Sequence, residues 1–167
     1  MIVAFKGRGE FGFERAIIAF EIDGTSQDLF DEDMKLHPGI YLFVSRLIGR
    51  CPPGETLTLR SKPVAAIDVL RSIEKYAAGG FTKKPNANRD ELKDLYSLMK
   101  CRGITLAFEE LAKEDEKRLA KRISAHVSGR EAEKPLILAP GDPRDEPWRK
   151  DKETISQQID RALAKDT

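Results

Sequence analysis

Cysteine and histidine are scarce in this sequence. Its 167 residues include two cysteines, Cys51 and Cys101, and two histidines, His37 and His126. Two cysteines are too few for a disulfide framework, so a reducing cytoplasm is the expected compartment. Neither cysteine belongs to a Cys-x-x-Cys pair, so the ligand spacing of a structural zinc site is missing. The composition predicts neither a disulfide-rich scaffold nor a zinc domain, and we expect no metal and no cofactor.

Long apolar runs and a strong net charge are missing as well. No run approaches the ~20 residues that a membrane-spanning helix needs, and the apolar stretch 2–5 is too short for a secretory signal. The formal net charge is +1, so no overall field attracts the molecule to nucleic acid or to a membrane. We expect no membrane contact, and any attraction to nucleic acid has to come from local clusters of charge.

The residues that are present suit one folded α/β domain. Hydrophobic residues make up 40% of the chain and charged residues 34%, a mixture typical of folded cytosolic proteins. Five segments have the alternation or the short apolar runs that indicate strands; they are 2–5, 14–22, a weaker one within 25–35, 56–60 and 104–108. Four segments have apolar residues at helical spacing; they follow Pro38, Ser61 and Asn88 and span about 110–127.

This element order predicts a mixed five-stranded sheet, in which an antiparallel meander is followed by βα units, with helices on both faces. Ser61 is the predicted N-cap of the second helix, whose buried stripe would begin at Val64. Asn88 with Glu91 is close to a capping box for the third helix. Gly129 is the predicted stop of the fourth helix.

The chain changes character at residue 129. We expect one domain over 1–128, followed over 129–167 by a proline-containing linker and a short amphipathic helix. Trp148 beside Pro147 suits an anchor for a partner, and the helix has an apolar stripe; the candidate partner-binding residues are Trp148, Ile155, Ile159 and Leu163. A protein partner or a second copy of the chain would bind here, and the alternative is that the tail packs on its own domain.

A literal Gly-x-Gly-x-x-Gly motif spans 7–12. In a dinucleotide-binding site this motif opens a helix whose N-terminus faces the pyrophosphate. Here the following residues, 13–22, have the composition of a strand. The motif therefore predicts a glycine-rich hairpin turn rather than a phosphate loop.

Residues 57–111 contain an ordered series of features. A strand is followed directly by a helix, and then by an aromatic residue, a basic loop and a helix of Leu-x-x-Leu-Tyr-x-Leu-Met type; the quoted residues are Tyr76, Gly80-Phe81, Lys83-Lys84-Pro85 and Asn88-Arg89-Asp90. In order and spacing these features resemble the ribonuclease H family from its fourth strand to its fifth. With the weaker N-terminal part, the resemblance covers roughly residues 1–127. It implies a ribonuclease H-like sheet.

The resemblance also implies a missing activity. The family cuts the RNA strand of an RNA–DNA hybrid with carboxylates that hold two Mg²⁺ about 4 Å apart. The positions where these carboxylates would fall are occupied here by Lys6, Gly39, Ser61 and Lys117. None of the four is acidic, and Mg²⁺ requires hard oxygen ligands, which an ammonium group does not supply. We therefore expect a pseudoenzyme, a non-catalytic binding protein.

The resemblance assigns a ligand surface to the region that matches the family's basic, substrate-gripping protrusion. Lysine and arginine gain affinity for phosphates by counterion release, and an aromatic ring can support a base or sugar. The candidate nucleic-acid-binding residues are Lys75, Phe81, Lys83, Lys84, Arg89 and Lys93. The favoured ligand is a duplex or an RNA–DNA hybrid. The alternative is an ordinary solvated surface, because acidic residues are interleaved with the basic ones: Glu74, Asp90, Glu91 and Asp94.

Two further functional hypotheses remain open at this point. The protein is alternatively an interaction scaffold or a subunit of a larger assembly, which binds through its C-terminal tail. In a third hypothesis, Asp23-Gly24-Thr25-Ser26 corresponds to the family's Asp-Gly-Ser signature, and the protein is a metal-dependent ribonuclease. Its carboxylates would be Asp23 with companions among Glu21, Asp28, Glu109, Glu110 and Glu114.

Overall fold

The computed structural model of this chain describes residues 1–10, 12, 14–82 and 88–133. Six strands and five helices lie in these ranges, which confirms the predicted α/β class. In chain order they are β1 (Ile2–Glu10), β2 (Arg15–Ile22), β3 (Thr25–Ser26), β4 (Phe30–Glu32), α1 (Leu36–Arg50), β5 (Thr56–Ser61), α2 (Ala65–Arg71), α3 (Ile73–Ala78), α4 (Arg89–Arg102), β6 (Thr105–Glu110) and α5 (Lys113–Glu133).

The strands form one mixed sheet in the order β3-β2-β1-β5-β6, and β4 also pairs with β2. Strands β1 and β2 are antiparallel, whereas β5 is parallel to β1 and β6 is parallel to β5. An antiparallel meander is thus followed by parallel strands, as predicted. The predicted third strand is divided into β3 and β4. At the interruption between them, the carbonyl oxygen of Gln27 accepts a hydrogen bond from Arg122 of α5 instead of a ladder bond.

The glycine-rich motif is part of a hairpin, as predicted. Strand β1 continues through Gly7 and Gly9 to Glu10, which pairs with Arg15 at the start of β2. Gly12 lies in the connection with a φ of 71°, a conformation that costs glycine nothing. A strand, β2, therefore follows the motif, where a dinucleotide-binding site would have a helix.

The predicted start of the second helix is wrong. Ser61 is the last residue of β5, where it pairs with Glu110 of β6, and the helix begins at Ala65. Pro63 explains the difference, because the residue before a proline, here Lys62, is disfavoured in the helical region. Val64 is 37% exposed rather than buried. The helix also divides at Ser72 into α2 and α3.

Two other predicted helix ends differ from the structure. Asn88 has a φ of 59°, and its side chain makes no capping hydrogen bond, because an N-cap needs extended backbone rather than the left-handed region. Helix α5 passes through Gly129, and its described part spans Lys113–Glu133. One glycine costs a helix only about 1 kcal/mol relative to alanine, and the residues that follow it are good helix formers. The predicted boundary at residue 128 therefore lies inside a helix.

Two apolar cores lie on opposite faces of the sheet. The larger core joins the sheet to α1–α4, and at its centre Phe43 makes edge contacts with three other rings, Phe5, Phe20 and Phe30. The smaller core lies under α5 and consists of Ala4, Ile17, Ala19, Leu111, Leu119, Ile123 and Val127. Strand β2 contributes to both, and all eight of its residues are buried. This double burial explains why its sequence is almost continuously apolar.

Polar side chains on α5 hold this helix against β2 and β4. Arg118, Arg122 and His126 are four residues apart and therefore share one face of the helix. Arg118 donates hydrogen bonds to Glu21 at 2.8 and 3.1 Å, and Arg122 donates to the carbonyl oxygen of Phe20 at 3.1 Å. His126 donates to Asp31 at 2.8 Å. These polar contacts fix the position of α5 along β2 and β4, in addition to the apolar contacts beneath the helix.

Asp31 is the centre of a buried charge cluster. Its carboxylate is fully buried, and Arg15 Nε, also buried, lies 2.5 Å from it. Asp31 therefore joins β2, β4 and α5 through the hydrogen bonds of Arg15 and His126. Taking charges out of water is costly, and the loss of one partner from such a cluster leaves that cost uncompensated.

We predict that Asp31→Asn lowers the free energy of unfolding by about 3 kcal/mol, because the Arg15 guanidinium keeps its burial and loses its nearest counter-charge. Urea unfolding of the full chain measures the change. Asp33→Asn is the matched control, because Asp33 is 61% exposed and lies 3.5 Å from the same arginine; its cost should stay below about 1 kcal/mol. Equal costs for the two variants would contradict the role given to Asp31.

Candidate functional site

A cleft opens beside β1 at the point where β5 ends, between the start of α1 and the start of α5. Its volume is about 40 Å³, and its lining is mostly apolar with three polar residues; the lining residues are Phe5, Lys6, Gly7, Leu36, Ile40, Ser61, Lys62, Val64 and Leu111. In open α/β sheets, ligands bind at the carboxyl ends of parallel strands. This cleft lies at the carboxyl end of β5, beside the middle of β1.

The sheet brings two of the four predicted positions together here. Ala4 pairs with Arg60, so Ser61, the next residue of β5, lies beside β1 close to Lys6. Both residues line the cleft. Ala4 belongs to the core under α5, and Lys6, two residues further along the strand, projects toward the same helix.

Gly39, the third position, is not part of the cleft. A Cβ atom at Gly39 would lie 2.6 Å from the Cβ of Ala16, so this glycine allows α1 to pack closely on β2. The residues that α1 does present to the cleft are Leu36 and Ile40. Gly39 thus has a packing role, and α1 offers the cleft apolar side chains.

Lys117, the fourth position, is exposed, whereas the neighbouring Glu116 contacts two lysines that line the cleft. Glu116 Oε1 lies 3.1 Å from Lys6 Nζ, and its Oε2 lies 3.7 Å from Lys62 Nζ. An acidic side chain therefore lies beside Lys6 and Lys62, one residue before the position named from the resemblance. The sequence of the first turn of α5 does not reveal which of its residues faces the sheet. That depends on how the helix packs.

The charged groups at the cleft neutralise one another. Lys62 Nζ also lies 3.4 Å from Glu110 Oε1, so two ammonium groups face two carboxylates. Hydrogen bonding from Lys6 is the main cause that lowers the pKa of Glu116 below its ordinary value of 4.5. The carboxylate is therefore ionised at neutral pH, and its charge is already matched by lysine.

Asp23 has a structural role in a turn. Asp23 and Gly24 both have positive φ, 48° and 82°, between the paired residues Ile22 and Thr25, which is the geometry of a two-residue type I′ hairpin. The Asp23 carboxylate accepts a hydrogen bond from the N–H of Ile2 at 2.8 Å. Along β1, Ile2 is about 13 Å from Lys6.

The suggested companions of Asp23 bind elsewhere. Glu21 binds Arg118, Glu109 binds Arg60 and Glu110 binds Lys62. Asp28 and Glu114 are exposed. Within residues 1–10, 12, 14–82 and 88–133, no three aspartate, glutamate, histidine or cysteine side chains form a group that could hold a metal ion.

The structure describes four of the six predicted nucleic-acid-binding residues. Lys75 and Lys93 are exposed, on α3 and α4. Arg89 is half-buried, and its Nη2 donates to the carbonyl oxygen of Thr82 at 3.4 Å. Phe81 is 6% exposed and makes an edge contact with Tyr96 at 6.0 Å. Its predicted stacking role is therefore corrected, because a buried ring has no face to offer a base.

Acidic residues remain next to these lysines. Glu74 accepts hydrogen bonds from Lys100 at 2.5 Å and from the hydroxyl of Tyr96 at 2.9 Å, and hydrogen bonding from Lys100 is the main cause that lowers its pKa. Three other acidic residues on α4 are exposed, namely Asp90, Glu91 and Asp94. The surface of α3 and α4 therefore has mixed charge.

Several predicted site residues lie outside the described part of the chain. These are Lys83 and Lys84 of the basic loop, and Trp148, Ile155, Ile159 and Leu163 of the tail. Among the helices that the structure does describe, none has the length and apolar character that crossing a membrane requires.

No protein-family model matches this chain, and no curated protein matches it either. Inferences about function therefore depend on the geometry of the chain itself.

Gly39 gives a test of the close packing between α1 and β2. We predict that Gly39→Ala lowers the free energy of unfolding by about 1–2 kcal/mol, because overpacking against Ala16 exceeds the gain in helix propensity. Gly49→Ala in the same helix is the control: nothing lies within 4 Å of its Cβ position, and it should stabilise the protein by about 0.5–1 kcal/mol. Urea unfolding distinguishes the two, and stabilisation by both would contradict the close contact.

The ion pair at the cleft predicts a pH dependence. Because the pKa of Glu116 is lowered in the folded state, its pairing stabilises the protein above the unfolded pKa and is lost as the pH falls through the folded pKa. Carboxyl-carbon NMR should show a higher midpoint for Glu116 in Lys6→Gln than in the unmodified chain. Lys117→Gln removes an equal charge from an exposed neighbour and should change the midpoint much less. An unchanged midpoint in Lys6→Gln would contradict the pairing.

Proposed function

We propose that this chain is a ribonuclease H-like protein without metal-dependent nuclease activity, which works as a binding module for nucleic acid. The sheet supports this family, because its antiparallel meander, parallel strands β5 and β6 and covering helices have the order that the resemblance implies. The favoured ligand is a duplex or an RNA–DNA hybrid.

The observation that carries the proposal is the pair of lysines at the cleft. In the family this end of the sheet holds Mg²⁺ between carboxylates. Here Lys6 and Lys62 supply fixed positive charges within 4 Å of Glu116, where the family would use the metal ions. Ser61 and the apolar residues Leu36 and Ile40 complete the lining. A cation is thus provided by the protein itself, and the ligand set for a divalent ion is lost.

Exposed lysines support nucleic acid as the ligand. Lys75 and Lys93 lie on the surface of α3 and α4, and each ammonium group that contacts a phosphate releases condensed counterions. The interleaved carboxylates reduce this effect. We therefore expect weak, strongly salt-dependent binding, with contacts to the phosphate backbone of the nucleic acid rather than to specific bases.

The test is a titration of the full chain into labelled single-stranded DNA, duplex DNA and RNA–DNA hybrid. Two salt concentrations are used in the presence of Mg²⁺, and the same samples are run on a denaturing gel. We expect binding that weakens with salt and no cleavage. Cleavage that is lost in Asp23→Asn would establish the metal-dependent ribonuclease instead. Absence of binding to all three would favour the interaction scaffold, and deletion of residues 140–167 would then test the tail.

A pair of charge reversals tests the surface. Lys75→Glu with Lys93→Glu should weaken binding at low salt by about tenfold or more, because two phosphate contacts are lost. Lys117→Glu with Lys121→Glu makes the same change of net charge on exposed positions of α5, across the sheet, and should have a much smaller effect. Equal effects of the two double variants would refute the assignment to α3 and α4.

A further inference from the structure

The carboxylate of Glu116 lies between two ammonium groups at the mouth of an open cleft. We propose that Lys6, Lys62 and Ser61 form a binding site for a phosphate group, and that Glu116 occupies this site when no phosphate is bound. This inference deepens the proposed function, because it assigns a phosphate contact to the cleft that the surface of α3 and α4 does not provide.

The geometry of Glu116 is that of a bound oxyanion. Its two oxygen atoms contact different lysines: Oε1 lies 3.1 Å from Lys6 Nζ, and Oε2 lies 3.7 Å from Lys62 Nζ. A phosphate group likewise presents several acceptor oxygens around one centre, and it binds lysine through charge-assisted hydrogen bonds. The position that this carboxylate fills therefore suits a phosphate.

Ser61 supplies a neutral donor at the same place. It is 7% exposed and lines the cleft, and its hydroxyl donates a long hydrogen bond of 3.2 Å to the carbonyl oxygen of Lys62. A hydroxyl rotates freely about its C–O bond, so the same group can donate to a ligand oxygen. The apolar walls of the cleft reduce solvent screening of the charges beside them.

Glu116 is a replaceable occupant. The residue lies in the first turn of α5, and its side chain and that of Lys6 are each 30% exposed, so the pair is only moderately strong. A phosphate monoester carries about two negative charges at neutral pH, against one on Glu116. Glu110 competes weakly, because it is 72% exposed and 3.4 Å from Lys62. Movement of one side chain is enough to open the site.

Calorimetric titration of the full chain with inorganic phosphate at neutral pH and constant ionic strength tests the inference. Glu116→Gln should bind phosphate about fivefold or more tightly than the unmodified chain, because the competing charge is removed. Lys6→Gln with Lys62→Gln should abolish saturable binding. Glu114→Gln and Lys117→Gln are the matched controls, since both change an exposed charge of the same helix, and both should behave like the unmodified chain.

Two results would overturn the inference. One is a Glu116→Gln affinity equal to that of Glu114→Gln, and the other is phosphate binding that survives the loss of both lysines. A thermal melt of each variant checks folding, and Lys62→Gln alone replaces the double variant if the latter does not melt cooperatively. Its affinity for phosphate should then fall below that of Lys117→Gln.

The same variants titrated with RNA–DNA hybrid identify the source of the phosphate. If it belongs to a nucleic-acid backbone, Glu116→Gln should tighten hybrid binding and the double lysine variant should weaken it. If the variants change the affinity for inorganic phosphate but not for the hybrid, the cleft is a site for free phosphate or a phosphate monoester. The proposed nucleic-acid function is then wrong. A third outcome is that hybrid binding depends only on Lys75 and Lys93, and that Glu116→Gln does not change the affinity for phosphate. This outcome would support the proposed nucleic-acid function and would refute the phosphate site at the cleft.

Discussion

Strand β2 is buried on both faces, and this constraint determines where the helices lie. Its apolar residues alternate between the larger core under α1–α4 and the smaller core under α5. Burial of both faces requires close packing of a helix on each. On one face, Gly39 lets α1 approach Ala16. On the opposite face, Arg118, Arg122 and His126 hold α5 in position. The buried Asp31 then joins β2, β4 and α5 through Arg15 and His126. The three layers are thus fixed relative to one another around a single strand.

The cleft is a consequence of the same arrangement. Helix α5 begins where β5 and β6 end, and its position on β2 places its first turn over the middle of β1. Glu116 is therefore carried to Lys6, which is far from it in sequence. The close approach of α1 to β2 leaves Leu36 and Ile40, rather than a polar residue, on the third side. The cleft therefore combines apolar walls with two lysines and one serine at its mouth.

Fixed ammonium groups and bound metal ions have different chemical capabilities. A divalent ion activates water and polarises a phosphoryl oxygen, whereas an ammonium group offers charge and hydrogen bonds without open coordination positions. Lysine side chains at a cleft are suited to holding an oxyanion through charge and hydrogen bonds. Binding through such a site and binding through exposed lysines on α3 and α4 both depend on salt, but only the former depends on Glu116.

Local composition determined the class of fold and most of its elements. Apolar alternation and turn residues placed the strands β1, β2, β5 and β6 and the glycine-rich hairpin that follows β1, because these features depend on neighbours in the chain. The resemblance to the ribonuclease H family, rather than these patterns, suggested Lys6 and Ser61 as residues of one site. Tertiary structure alone decided the rest. Glu116 rather than Lys117 faces the cleft, Gly39 serves packing, and Phe81 is buried, because each depends on how elements distant in sequence pack. The extension of β5 to Ser61 depends on its pairing with β6, and no pattern within residues 56–64 contains that partner.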